Sequence, residues 1–112
     1  IGPYSQAVIA NGILYVSGQI PLDPADGTFK NENIDTETTQ VMKNLKAILE
    51  EAGTTFDKVI KTTIFLTDMA LFTQVNEIYG SYFSTHFPAR ETVAVKGLPK
   101  GANVEISMIV AI

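Results

Sequence analysis

Two stretches near the end of the chain carry residues whose types could do chemistry together: Pro88-Ala89-Arg90-Glu91-Thr92-Val93 and Val104-Glu105-Ile106. Arg90 offers a planar fork of donors that clasps a carboxylate bidentately and fixes its orientation. Glu105 offers a carboxylate that can orient and deprotonate a water near an electrophilic carbon. Together they would be a carboxylate anchor beside a general base. The plainer alternative is a structural ion pair knitting two strands together, and on the residues alone neither reading displaces the other.

The remaining candidates are sparser. Tyr4 lies between Pro3 and Ser5, ahead of the first strand, where a phenol can edge a pocket. Gly18, in Ser17-Gly18-Gln19, either permits a bend or admits a ligand close to the backbone. Asn76 falls inside a helix, where asparagine is a mediocre former, and is either solvated or bonded to a loop that shapes a pocket. His86, the one histidine, reads as a contact to a helix end rather than a catalyst. Gly97-Leu98-Pro99-Lys100-Gly101 lacks phosphate-loop spacing and reads as a turn.

Composition narrows the chemistry further. The 112 residues fit one domain spanning 1–112, with 46% hydrophobic and 18% charged residues. That apolar excess in a small chain hints at surface buried against further copies of itself. The net charge of -4 argues against nucleic acid held on a broad basic surface. With no cysteine, disulfides, thiolate catalysis and zinc-thiolate sites are excluded, and a single histidine cannot build a multi-histidine metal site. No apolar run is long enough to span a bilayer and no signal peptide is visible, so a cytoplasmic location is the expectation.

Periodicity supplies the elements that must position these residues. Ala7–Ala10 and Ile13–Val16 flank Asn11-Gly12, a pair suited to the positive φ angles of a type I′ turn. A helix capped by Asp35 or Thr36 carries Val41, Leu45, Ile48, Leu49 and Ala52 on one stripe and stops at Gly53. Val59–Leu66 reads as a buried strand. Asp68 can cap a second helix with the stripe Phe72, Val75, Tyr79 and Phe83, ending before Pro88. The last strands, about Arg90–Lys96 and Ala102–Ile112, are expected to form a hairpin. The order β-β-α-β-α-β-β with right-handed crossovers predicts an α+β fold, one sheet with both helices on the same face.

The uncovered face then decides the function. Val104, Ile106, Met108 and Val110 form the apolar row that belongs under the helices, leaving Asn103, Glu105, Ser107, Ile109 and Ala111 on the open side. In the expected hairpin Lys96 pairs with Gly101 and Thr92 with Glu105. Val93 and Val95 then face the helices, and Arg90, Thr92 and Ala94 the open side. Arg90 would stand diagonal to Glu105, about 7–8 Å away between backbone positions. Such a half-apolar face predicts self-association.

Several motifs in order also resemble one family. They are Gly2-Pro3-Tyr4-Ser5-Gln6-Ala7, Ser17-Gly18-Gln19-Ile20-Pro21, Asn44-Leu45 with Leu49-Glu50-Glu51-Ala52-Gly53, Val75-Asn76-Glu77-Ile78-Tyr79, Pro88-Ala89-Arg90, Leu98-Pro99-Lys100 and Val104-Glu105-Ile106. Over essentially its whole length the chain resembles the Rid family, the reactive intermediate deaminases, also called the YjgF family. The resemblance implies a chorismate-mutase-like fold assembled as a homotrimer, with active clefts between subunits and no metal or organic cofactor. It further implies hydrolysis of 2-imino acids, such as 2-iminopropanoate and 2-iminobutanoate, to 2-keto acids and ammonia.

Carried over by position, Arg90 matches the arginine that clasps the substrate carboxylate and Glu105 the carboxylate that positions the attacking water. Tyr4, Ser17, Gly18 and Asn76 match residues that line or support the cleft. Thr92 stands where many members have cysteine, so any role there falls to its backbone or hydroxyl. Glu91 replaces a small residue, and Ser107 a frequent acidic one. The competing expectation is a non-catalytic trimer that holds a keto acid or related carboxylate and signals to a partner. RNA cleavage, to which related proteins have been linked, fits the acidic balance least.

Overall fold

The computed structural model describes residues 2–112. One five-stranded sheet is built from β1 (Ala7–Ala10), β2 (Ile13–Gln19), β3 (Val59–Leu66), β4 (Ala89–Ala94) and β5 (Val104–Ala111), in the spatial order β1-β2-β5-β3-β4. Two helices, α1 (Ile34–Glu51) and α2 (Phe72–Gly80), complete the β-β-α-β-α-β-β order that the sequence predicts.

Local chemistry explains most boundaries. Asn11 and Gly12 both take positive φ, 52° and 75°, so β1 and β2 close through the expected tight turn. The cap of α1 is Asn33 rather than Asp35 or Thr36: its Oδ1 accepts from the Thr36 N–H at 2.8 Å. Helix α1 ends where expected, with the Gly53 and Thr54 N–H groups donating to the Glu50 and Leu49 carbonyls at 3.1 and 2.9 Å. Asp68 caps a short 3₁₀ turn, Met69–Leu71, that leads into α2, its Oδ1 accepting from the Ala70 N–H at 2.9 Å. Helix α2 stops at Gly80, short of the predicted stripe's last member, and Phe83 reaches the core from beyond the helix end.

The core lies between the sheet and the helices. Val104, Ile106, Met108 and Val110 of β5 are buried with Ile64 and Leu66 of β3, Val41, Met42, Leu45 and Leu49 of α1, and Val75 and Tyr79 of α2. Burying each such aliphatic side chain stabilises the fold by about 1.5–3 kcal/mol. The row chosen for β5 by alternation is the buried one.

The terminal hairpin is not formed. β4 runs parallel to β3, and β5 runs antiparallel between β2 and β3, so the connection from Val95 to Asn103 carries the chain across β3. Its all-buried apolar row draws β5 to the sheet centre, whereas β4, with its charged Arg90-Glu91 pair, keeps the exposed edge. This inverts the facing predicted for β4. Thr92 lies opposite Ile64, which lies opposite Ile106, and Arg90 lies opposite Thr62, which lies opposite Met108. Arg90 and Thr92 therefore belong to the helix side, and Val93, not Ala94, joins the open face. Glu105, opposite Phe65, stays on the open side, so the predicted Thr92–Glu105 and Lys96–Gly101 pairs do not exist.

Candidate active site

The guanidinium of Arg90 is seated on α2. Its Nη1 donates to Asn76 Oδ1 at 2.5 Å, and its central carbon sits 5.5 Å from the Phe72 ring centroid and 5.3 Å from that of Tyr79. Phe72, Asn76 and Tyr79 follow helical spacing, so one face of α2 supplies the whole seat. The Tyr79 hydroxyl donates to Thr62 Oγ1 at 3.1 Å, locking the ring beneath the charge. Burial pushes that phenol above its ordinary value, so it stays a neutral donor. Among the described residues Arg90 makes no ion pair, and Asn76 occupies only one of its five N–H donors.

A cleft of about 420 Å³ opens beside it, lined by Asn76, Tyr79, Gly80, Phe87, Pro88 and Arg90. Thr92, two residues along the same row, has a buried hydroxyl with no hydrogen-bond partner among the described residues. Its backbone is placed differently. The Val95 N–H donates to the Leu66 carbonyl at 2.7 Å, so strand alternation turns the N–H and C=O of Thr92 away from β3, towards the free sheet edge.

Glu105 belongs to a second cluster, on the other face of the sheet. Its side chain lies across Gly18 of β2, where an added Cβ would stand 2.7 Å from the Glu105 Cδ and collide with Oε2. Gly18 is thus the glycine of a close approach, made by a side chain of the protein itself, at an irregularity in the pairing of β2 with β5. Burial raises the Glu105 carboxyl above the usual glutamate range, with no charged neighbour contributing. Ser17 ties the N-terminal segment to this cluster. Its hydroxyl donates to the Ser5 carbonyl at 2.6 Å, and Gln19 Nε2 donates to Gln6 Oε1 at 2.9 Å. Tyr4, next to Ser5, is largely exposed.

The predicted residues therefore fall into two separate clusters: Arg90, Asn76 and Thr92 at the β4 edge, and Glu105, Gly18 and Ser17 about the pairing of β2 with β5, with Tyr4 exposed in the adjoining N-terminal segment. The ion pair weighed for Arg90 and Glu105 is absent within one chain; the pair that does bridge strands there is Lys61–Glu91 at 3.0 Å. Sequence reasoning treated Phe72 and Tyr79 as packing residues and did not single out Phe87. The helical spacing of Phe72 and Tyr79 about Asn76 was the available signal.

The family model described as endoribonuclease L-PSP matches residues 1–112. A crystal structure from Yersinia pestis, of a protein assigned to the conserved Rid protein family, superposes with a TM-score of 0.97 at 55% identity, covering 100% of this chain and 90% of that one. The chain belongs to the Rid family. Among other relatives, a Lactococcus lactis protein named as a candidate regulator, AldR, is 53% identical over 97% of this chain and 86% of its own length. The human 2-iminobutanoate/2-iminopropanoate deaminase is 46% identical over 97% of this chain and 80% of its own length. No helix among the described residues is long and apolar enough to cross a membrane.

Proposed function

We propose that this protein hydrolyses 2-imino acids to 2-keto acids and ammonia, in a site completed by two copies of the chain. The observation that carries this reading is Arg90. It is a cation held by neutral partners, an amide and two ring faces, with free donors at a cleft and no carboxylate of the described residues to neutralise it. Such a group is arranged to receive a carboxylate from outside the chain. The edge-facing N–H of Thr92 is a second donor for the same anion.

Glu105 supplies the complementary half. An imine protonated on nitrogen is already electrophilic, so water adds at C2 once oriented. Glu105 takes the proton from that water as the C–O bond forms. The proton then goes to the amine nitrogen, and Glu105 takes the remaining hydroxyl proton as the C=O bond forms and the C–N bond breaks. That proton passes to the released ammonia, so that keto acid and ammonium leave. A carboxylate raised by burial is a stronger base than an ordinary one and takes the proton of the attacking water more readily, the direction general-base catalysis favours. Holding the carboxylate and the water in place supplies most of the remaining acceleration.

Because the two halves occupy different faces of one chain, a complete site pairs Arg90 of one copy with Glu105 of the next. Two unlike patches meeting in this way are a head-to-tail contact, and such a contact forms a ring when the rotation between copies closes. The proposed ring is a homotrimer, and exposed Val8, Tyr15 and Val93 on the open face favour its burial. Tyr4 would edge the shared cleft, Ser17 and Gly18 would carry Glu105, and Asn76 would aim Arg90. The substrates proposed are 2-iminopropanoate and 2-iminobutanoate, met in the cytoplasm and handled without a metal or organic cofactor.

The relationship to the candidate regulator AldR favours one second reading, a trimer that binds a keto acid on Arg90 without turning over imine. A dehydratase that releases imine from serine or threonine, coupled to keto-acid detection, separates them. Acceleration above the spontaneous hydrolysis rate supports the deaminase; keto-acid binding with no acceleration supports the regulator.

A further inference from the structure

The entry into β5 is pinned by a buried carboxylate that the proposed reaction does not use. Glu37, in the first turn of α1, is 1% exposed and has no cation within ion-pair distance among the described residues. Both of its oxygens are taken by one residue: the Asn103 N–H donates to Oε1 and Asn103 Nδ2 donates to Oε2, each at 2.8 Å. Asn103 is held from the sheet side as well. Its Oδ1 accepts from Thr67 Oγ1 at 2.8 Å, and its carbonyl from the Thr67 N–H at 3.1 Å. Asn103 is thus bonded through backbone and side chain alike, and its amide reaches α1 instead of joining the open row that alternation assigned to it.

Buried acceptors on a carboxylate are costly to leave unmet, so this clamp has one arrangement rather than several. Two residues after it stands Glu105, whose carboxylate rests on bare Gly18 and has no hydrogen-bond partner among the described residues to hold it there. Its position rests on where β5 starts and how the strand is rotated, and those are what Asn103 fixes. We infer that Glu37 is a positioning residue for the site, acting through Asn103 to hold the Glu105 carboxylate over Gly18. As a statement about catalysis this rests on the deaminase reading; as a statement about where Glu105 sits it does not.

The test uses the full-length protein. In Glu37→Gln one oxygen becomes an NH₂ group facing a donor, so one of the two bonds to Asn103 is lost. Thr67→Val removes only the hydroxyl end of the clamp and serves as the milder variant should Glu37→Gln fold poorly. Val59→Ala, a core cavity away from Glu105, is the control for lowered stability alone. Carbon-13 NMR of the side-chain carboxyls gives the Glu105 titration midpoint, with Glu105→Gln assigning the resonance. Imine hydrolysis and pyruvate affinity are measured on the same samples.

In the clamp variants the Glu105 midpoint should fall towards the ordinary glutamate value as the carboxylate leaves its buried seat. kcat should drop about 10–100-fold, the effect of displacing a reacting group by a fraction of its length, with pyruvate affinity within about twofold because Arg90 is untouched. Val59→Ala should leave the midpoint in place. An unmoved Glu105 midpoint in both clamp variants overturns the inference, as does a shift of equal size in Val59→Ala. If the wild-type protein did not hydrolyse imines, the deaminase reading would fail while the NMR titration still decided the clamp.

Discussion

Replacing Thr92 with valine is expected to stabilise the protein and leave imine hydrolysis intact. The Thr92 hydroxyl is sealed from solvent with no partner among the described residues, and a buried hydroxyl in that state costs about 1–3 kcal/mol. Valine keeps the branched shape that suits a strand and exchanges the unsatisfied oxygen for a methyl group. β4 is an edge strand and Thr92 is only half-buried, so the lower end applies, a gain of about 1 kcal/mol. For a domain of this size that raises Tm by about 4 °C. Thermal melts at one fixed chain concentration read it without confusing folding with assembly. The activity half of the prediction follows from the same burial: a substrate cannot reach an oxygen that water cannot reach, whereas the edge-facing N–H of residue 92 survives the change. A Tm lowered by several degrees would refute the unsatisfied hydroxyl. A loss of turnover beyond tenfold, about 1.4 kcal/mol in the barrier, would show that the hydroxyl meets the substrate.

Gly18→Ala should keep the fold and cut kcat at least tenfold, because the new methyl group displaces the Glu105 carboxylate; near-normal turnover would show that Glu105 does not act from this seat. Arg90→Lys should weaken pyruvate binding and depress turnover together, since a lysine cannot reproduce the fork held by Asn76 and the two rings, and a calorimetric titration unchanged from wild type would contradict the anchor. The effect of Glu105→Gln on stability should depend on pH with a definite sign. Burial raises the Glu105 carboxyl in the folded state, so the stability it contributes is fully present below the unfolded-state value and declines as pH rises through the folded one. The glutamine variant, which has nothing to titrate, should therefore melt higher than wild type at neutral pH and converge with it below the usual glutamate range.

The elements were legible because each has a local cause. Asn11-Gly12 dictates its turn, the stripe Val41, Leu45 and Leu49 dictates a helix, and the β5 row is apolar at every second residue. What local pattern does not carry is which strands become neighbours. Arg90 and Glu105 were placed on one face by assuming that successive strands pair, and the chain instead crosses β3 so that the most apolar strand takes the centre. A shift from one partner to another changes facing as completely as a slip of one residue would. The charged pair Arg90-Glu91 was the available sign that β4 is an edge. The types of residue in the site were legible where their juxtaposition was not, because juxtaposition across faces, and between copies, is a property of the whole sheet. Several polar residues precede α1, and only geometry selects Asn33 among them as the cap.

The central claim is that Arg90 and Glu105 work together only across two copies of the chain. It is tested by mixing two inactive variants. Arg90→Ala and Glu105→Gln, unfolded, combined in equal amounts and refolded together, should assemble at random. A site that takes its arginine from one copy and its glutamate from the next is then intact in about one case in four, so about a quarter of the wild-type imine hydrolysis should return from two samples that each show almost none. If the mixture forms mixed assemblies and remains as inactive as its components, the two residues do not share a site between copies, and the account given for this protein is contradicted.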